Sequence, residues 1–353
     1  MELDCTLGNY CRAVAFSTVL RHYGYPLSEA MCFGLGASLD FGASKLSFGK
    51  HGERSLYCFS GNNSNDIYYL SDLLELDLQI LQPQTSKQTL HLIDKLVNQQ
   101  EIPIIARVCL REYLPYLKST PLNHVQESQE VFRLIDSRPT NHVTIVQKLE
   151  DKYVTIREPN IFEESVIPTK VFCKALNPHY GVVSTSANIL FRIQPTLQFE
   201  HIQAKMPALT AQAILDNMNM YLHGGGQTYG IGALEKVNNL VCEQLEPDDQ
   251  EANLVMFRFF CDTVSGGGFY RRLYSRFLKE ANTQYYQNEQ LAECAKVYAQ
   301  LSRTWSQLSK SFLRVASKEE DRSLQMDVRT LCEQEILAAQ RLYETVERIR
   351  NEL

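Results

Sequence analysis

The chain is organised around the stretch Asn9–Gly24, which runs NYCRAVAFSTVLRHYG. Apolar side chains recur in it at helical spacing, which predicts a helix that begins at Cys11 and ends at Gly24, ahead of Pro26. A thiol in the first turn of a helix faces unsatisfied amide groups and the positive end of the helix dipole, which favours the thiolate. Cys11 is therefore the candidate nucleophile. The alternative is that it packs as a small buried hydrophobic residue.

Composition bounds the class of protein. The chain has 353 residues, of which 44% are apolar and 22% charged, so two soluble globular domains with proper cores are expected. A net charge of −6 without a basic run argues against a nucleic-acid partner. The first residues lack the features of a signal peptide and no apolar window is long enough to span a bilayer, so we expect a cytoplasmic protein without membrane insertion.

The cysteines point to a reducing compartment. The ten cysteines are expected to be free thiols, and none forms a Cys-x-x-Cys pair that would suggest a zinc site. Cys5 is the main rival nucleophile, six residues before Cys11 but outside the predicted helix. Asn9 is the nearest side-chain amide that could support an oxyanion, and a hole built from backbone amides alone is the alternative.

Two patterns divide the chain. Helices and strands alternate up to a last predicted strand, Asn188–Ile193, which indicates an α+β domain over residues 1–195. Within it, residues 37–66 are rich in Gly, Ser and Asn and are expected to be mostly loop. From about Lys205 the pattern is helical, which predicts a second, all-helical domain over residues 205–353.

The clearest hairpin lies at residues 141–158. Two strand-like runs flank a polar turn at Glu150-Asp151, so His142 is placed across from residues 158–160. Glu158 and Asn160 are both candidates to orient its imidazole, because a shift of one residue in register exchanges them. The spacing resembles the papain-like pattern of a histidine base followed by a hairpin and Asp-Pro, with Glu158-Pro159 standing for Asp-Pro. The alternative for His142 is a hydrogen-bonded histidine on a sheet face.

The helical half contains two Gly-rich segments and one basic cluster. The segments at His223–Gly232 and Ser265–Gly268 fit neither phosphate-binding fingerprint, so we interpret them as tight turns between helices. Arg271, Arg272 and Arg276 follow the second turn on one predicted helix. They are candidates for binding an acidic partner, and the alternative is that they pair with nearby acids such as Glu280 on a solvated face.

Several short motifs occur together in order. Cys11 begins a helix that ends in His22-Tyr23-Gly24, followed by Leu27-Ser28-Glu29 and Gly34-Leu35-Gly36. This combination resembles the N-terminal domain of the butirosin biosynthesis protein H family, although that family usually has His before the cysteine and this chain has Tyr10. The second half resembles the helical domain that follows in the same family. The segments that carry this likeness are Tyr229–Gly232, Ser265–Ala281 and Tyr298–Trp305.

The resemblance implies a papain-like fold for residues 1–195, a helical C-terminal domain, and a cysteine acyltransferase with Cys11, His142 and Glu158 as its catalytic residues. It also implies an acyl or peptidyl carrier protein as donor and an amine as acceptor. The phosphopantetheine arm comes with the carrier, and no metal or other cofactor is expected. The alternatives are a papain-like peptidase or amide hydrolase and a non-catalytic scaffold. The sequence does not determine the oligomeric state, and a homodimer is compatible with it.

Overall fold

The computed structural model describes residues 3–48, 54–117, 141–159, 164–177, 188–226, 228–242, 253–254, 256–315 and 322–352. The chain divides into two compact units. The first unit consists of Met1–Cys32 and Leu74–Ile202, and the second consists of Phe33–Leu73 and Gln203–Leu353.

The strands are β1 (Leu39–Phe48), β2 (Arg54–Asn62), β3 (Leu76–Leu81), β4 (Ile104–Cys109), β5 (Asn141–Leu149), β6 (Tyr153–Arg157), β7 (Glu164–Pro168) and β8 (Leu190–Pro195). The first helices are α1 (Cys11–His22), α2 (Glu29–Leu35), α3 (Asp66–Leu73), α4 (Ser86–Ile93) and α5 (Leu110–Tyr113). The later α-helices span Thr169–Leu176, Phe199–Gln203, Met206–Asn219, Gly230–Cys242, Arg271–Ala281, Glu289–Val315 and Arg322–Glu352. Shorter π-helical and 3-10 segments occupy Asp94–Gln99, Leu114–Tyr116, Met220–Gly224, Phe259–Val264 and Asn282–Tyr286.

A six-stranded antiparallel sheet forms the centre of the first unit, in the order β3-β8-β4-β5-β6-β7. Its strands are rich in β-branched residues, and β4 is buried along nearly its whole length. The core includes Ile104, Val108, Val146 and Ile156. Helix α1 packs on β5 and β8 and buries every residue from Ala13 to Leu20. The hairpin predicted at 141–158 is confirmed as β5 and β6.

The register of β4 and β5 places the end of one strand beside the start of the other. Val108 pairs with His142 and Cys109 with Asn141, so the end of β4 lies beside the start of β5. In the β5–β6 pair, Val146 lies opposite Ile156 and Ile145 opposite Arg157. Residues that follow β4, begin β5 or follow β6 are therefore brought to one edge of the sheet.

The second unit combines the β1–β2 hairpin with the C-terminal helices. Its core is a cluster of stacked and edge-on aromatic rings, namely Phe41, Phe59, Phe257, Phe269 and Trp305. Gly268 adopts a φ of 61°, and a Cβ there would lie 2.7 Å from the carbonyl oxygen of Ser302. Glycine is required at this close approach, which agrees with a tight turn for Ser265–Gly268.

A mixed α/β architecture with a helical C-terminal region is confirmed, but two details differ from the sequence expectation. Residues 37–66 form the paired strands β1 and β2 where mostly loop was predicted. The segment Phe33–Leu73 also groups with the C-terminal helices, whereas the predicted domains 1–195 and 205–353 were continuous in sequence. The local sequence gives little indication of this strand pair, because the aromatic residues that its side chains contact lie over 190 residues away along the chain.

Candidate active site

His142 lies near the start of β5 and is 8% exposed. Its Nε2 atom is hydrogen-bonded to Oε1 of Glu158, the residue directly after β6. Glu158 is itself 4% exposed, so the carboxylate meets the imidazole inside the protein. Of the two orienting residues left open by the sequence, Glu158 contacts the ring, and Asn160 lies outside the described residues.

Tyr113 completes the surroundings of Glu158 and was missed by the sequence reasoning. Its hydroxyl donates a 2.8 Å hydrogen bond to Oε2, the second carboxylate oxygen. Tyr113 is fully buried, and burial beside the Glu158 charge raises its pKa well above the ordinary value, so the hydroxyl keeps its proton. A signal existed in the sequence, because Tyr113 follows the buried strand β4 by only four residues and β4 ends beside the start of β5.

Cys11 is the first residue of α1 and is partly exposed. Its sulfur is hydrogen-bonded to the His142 side chain and to the backbone amide of Val143. Because Nε2 of His142 is engaged by Glu158, Nδ1 is the ring nitrogen that faces the sulfur. The structure therefore brings the three residues Cys11, His142 and Glu158 into one line of contacts.

The charges of this cluster favour a thiolate. Burial raises the pKa of the Cys11 thiol, but the His142 cation and its hydrogen bond, together with the Arg12 charge and the Val143 amide, outweigh burial, so the pKa lies below the ordinary value. Burial lowers the pKa of His142, and the charges of Glu158 and Cys11 outweigh it, so that pKa lies well above the ordinary value. A thiolate beside an imidazolium is the form of a cysteine that attacks acyl carbons.

Cys5 has the opposite properties. Burial raises the pKa of its thiol, and this effect exceeds the opposing influence of the Arg157 charge and the hydrogen bond with Thr18. A cysteine that keeps its proton is a poor nucleophile. The geometry and charge of the first unit thus favour Cys11 over Cys5.

The chain just before Cys11 is held by hydrogen bonds to its backbone. Asn9 and Tyr10 donate their amide hydrogens to Oε1 of Glu29, at 2.6 and 2.8 Å. Gly8 donates its amide to the carbonyl oxygen of Pro159, the residue after Glu158, at 3.3 Å. The Asn9 side chain is half-buried two residues before the sulfur. The backbone of residues 8–10 therefore connects the cysteine helix to the strand end that carries the carboxylate.

Comparison with known proteins agrees with the order of these motifs. Residues 10–131 match the family model described as butirosin biosynthesis protein H, N-terminal. The resemblance of the N-terminal region to the butirosin biosynthesis protein H family is confirmed by this match. Residues 180–342 match a second model, described as a domain of unknown function (DUF4872). No curated protein matches the chain.

The two matched regions contain only part of the candidate site. The N-terminal match contains Cys11, Glu29 and Tyr113, whereas His142 and Glu158 lie between the two matched regions. The N-terminal family model alone therefore covers Cys11 but not the histidine and carboxylate beside it. Only the fold joins these residues.

The basic cluster proposed from sequence is divided by the fold. Arg271 is fully buried, and its guanidinium pairs with Glu335 through Nε at 2.8 Å, so the prediction that it binds a partner at the surface is wrong. Its other donors reach the Tyr221 hydroxyl and the carbonyl oxygens of Asp40 and Phe269. Arg272 and Arg276 are exposed on the same helix.

Metal-binding clusters and membrane-spanning helices are both absent from the part of the chain that the structure describes. Within the described ranges, no group of three or more His, Cys, Asp or Glu side chains is placed to hold a metal ion. In the same part of the chain, every helix is too short or too polar to cross a bilayer.

Proposed function

We propose that this protein is a cysteine-dependent acyltransferase, which takes an acyl group from a carrier-protein thioester and passes it to an amine. The observation that carries the proposal is the Cys11–His142–Glu158 line of contacts, in which the thiol pKa is lowered and the imidazole pKa is raised. The name of the family adds a biosynthetic setting. On this proposal the first unit has a papain-like fold and contains the catalytic residues.

The first half of the reaction transfers the acyl group to the protein. The Cys11 thiolate attacks the thioester carbonyl, and a new carbon–sulfur bond forms as the bond to the phosphopantetheine sulfur breaks. The departing sulfur takes the proton of the His142 imidazolium. One thioester replaces another, so the step is close to neutral in free energy, and His142 is left uncharged.

The second half forms the amide. The amine nitrogen attacks the acyl-Cys11 carbonyl, and the neutral His142 imidazole accepts the nitrogen's proton as general base. The carbon–sulfur bond breaks, which returns Cys11 to the thiolate and His142 to the imidazolium. Glu158 holds the imidazole in place and balances its charge throughout. The cycle consumes no metal, nucleotide or redox cofactor, and the phosphopantetheine belongs to the carrier protein.

The helical region, residues 205–353, is proposed to serve the acyl donor or acceptor. Arg272 and Arg276 are exposed cations there, in a chain of net charge −6. Carrier proteins are typically acidic and their phosphopantetheine arm is anionic, so a local basic surface attracts them. Arg271 is excluded from this surface because it is buried with Glu335.

The experiment that tests the function is intact-mass measurement after incubation with a panel of acyl-carrier thioesters. We expect the wild-type protein to gain the mass of one acyl group, Cys11→Ala to gain none, and an added amine to remove the group faster than water. If water removes the group as fast as any amine, the protein is a hydrolase. If the wild-type chain is never acylated, the proposal fails.

A further inference from the structure

We infer that Glu29 is a positioning residue for the Cys11 nucleophile. Glu29 is the first residue of α2 and only 4% exposed. One of its oxygens, Oε1, accepts the amide hydrogens of both Asn9 and Tyr10, the two residues that precede Cys11. Hydrogen bonds from backbone amides to a carboxylate are charge-assisted and are among the stronger ones in proteins.

The neighbouring chain is shaped to admit this carboxylate. A Cβ atom at Gly8 would lie within 2.6 Å of Oε1 of Glu29, so the approach requires glycine there. On the other side of the motif, Ser17 of α1 donates to the carbonyl oxygen of Leu27 at 2.7 Å, and Ser28 accepts the Met31 amide at 3.0 Å. The Leu27-Ser28-Glu29 motif therefore contacts α1 at two places. Leu27 binds a serine in the middle of the helix, and Glu29 binds the backbone just before it.

The contacts of Glu29 determine where α1 begins. Tyr10 is the residue that caps α1, and its carbonyl oxygen accepts the first helical hydrogen bond, from the Val14 amide at 3.0 Å. The Tyr10 side chain makes no capping hydrogen bond, and the Tyr10 backbone amide is held at the helix entry by its hydrogen bond to Glu29. Because Cys11 follows directly, the distance between its sulfur and His142 depends on this anchor.

The same contacts narrow the choice of oxyanion donors. The backbone amides of Asn9 and Tyr10 point to Glu29 and cannot also bind a developing oxyanion. Of the donors considered from sequence, this leaves the backbone amide of Cys11 and the side chain of Asn9. Glu29 thus acts on the reaction through the backbone that it orients, without contact with the reacting atoms.

The inference rests on the proposed role of Cys11, but its test requires no acyl donor. The probe is iodoacetamide, and the measurement is the rate of Cys11 alkylation from pH 5 to pH 10 in the full chain. Glu29→Gln keeps the reach and an acceptor oxygen, whereas Glu29→Asp keeps the charge but withdraws the oxygen by one methylene group. Glu112→Asp is the control, because it shortens a glutamate of the same unit that pairs with Lys174.

We expect Glu29→Asp to slow alkylation at pH 6 by about tenfold, with rates that converge near pH 10, because a displaced sulfur loses the His142 contact and its pKa rises. Glu29→Gln should stay within about threefold of wild type and Glu112→Asp should match it. Hydrogen exchange at the Asn9 and Tyr10 amides should accelerate in Glu29→Asp alone.

Two results would overturn the inference. A pH profile in Glu29→Asp identical to wild type would show that Glu29 is only structural. An equal slowing in Glu29→Asp and in the Glu112→Asp control would show that the effect does not come from the contacts of Glu29 with the chain before Cys11. A chain that is alkylated as expected but never acylated by a carrier thioester would refute the proposed function and leave the role of Glu29 intact.

Discussion

The Tyr113 hydroxyl donates a 2.8 Å hydrogen bond to Oε2 of Glu158, and both side chains are buried. With Oε2 held in this way, Oε1 faces Nε2 of His142. A carboxylate fixed at both oxygens keeps the imidazole in one orientation, which leaves Nδ1 toward Cys11. The line of contacts in the first unit therefore begins at a tyrosine that follows β4 and ends at the cysteine of α1.

Removing this hydroxyl should slow acyl transfer. Tyr113→Phe deletes one hydrogen bond to a charged group, whose contribution is typically about 1.5–3 kcal/mol, so we expect kcat to fall roughly tenfold or more with little change in KM. Tyr116→Phe, three residues later and exposed, is the matched control. Equal kcat in the two variants would show that Glu158 does not need its second partner.

The two N-terminal cysteines should differ in reactivity with pH. Because His142 lowers the pKa of Cys11, its alkylation by iodoacetamide should stay fast below the ordinary thiol pKa of about 8.5. Burial raises the pKa of Cys5, so Cys5 should react slowly in the same range. Peptide mapping of Cys5→Ala and Cys11→Ala checks this, and loss of the fast thiol in Cys5→Ala would contradict the assignment of the nucleophile.

Replacement of His142 should affect both reactivity and turnover. His142→Ala removes the cation that stabilises the thiolate and the base that accepts the amine proton, so the Cys11 pKa should rise and transfer should fall on the order of 10²–10⁴-fold. Glu158→Gln should cost less, since an amide oxygen can still face the ring. His201→Ala, on an exposed helix position, serves as control. Near-normal transfer by His142→Ala at neutral pH would exclude it as the base.

Arg271 should matter for stability. It donates to Glu335 inside the second unit, where Glu335 also accepts from Trp305 at 2.6 Å and Tyr221 at 3.1 Å. Arg271→Ala leaves a buried carboxylate without its cation, so the free energy of unfolding in urea should fall by about 3–5 kcal/mol. Arg272→Ala, exposed one residue later, should change it by at most about 0.5 kcal/mol. Equal, small effects would mean that the buried pair contributes little.

The exposed arginines should matter for the donor. Charge reversal at Arg272 and Arg276 should weaken transfer from a carrier protein more than transfer from a small thioester mimic, and the difference should shrink at high salt because the attraction is screened. Steady-state kinetics with both donors at two salt concentrations measures this. An equal loss with both donors would indicate support of the fold or of the amine site and would rule out carrier docking.

Local pattern was sufficient for several elements of the site. The helix that begins at Cys11 and the hairpin that carries His142 and Glu158 both follow from periodicities within about twenty residues, and the structure contains both. The burial of Arg271 could also have been predicted from the sequence. Arg271 lies three and seven residues before Tyr274 and Leu278, on the buried face of its helix, whereas Arg272 and Arg276 lie off that face.

What the sequence determined by itself is a cysteine at a helix start, a histidine opposite a carboxylate, and the helical second half, because each depends on residues close together in the chain. Only the tertiary structure decided that Tyr113 holds Glu158, that Glu29 holds the backbone before Cys11, and that Phe33–Leu73 joins the C-terminal helices. Those contacts join residues 19 or more positions apart. Their partners are selected by strand register and side-chain packing, which a one-dimensional pattern does not contain.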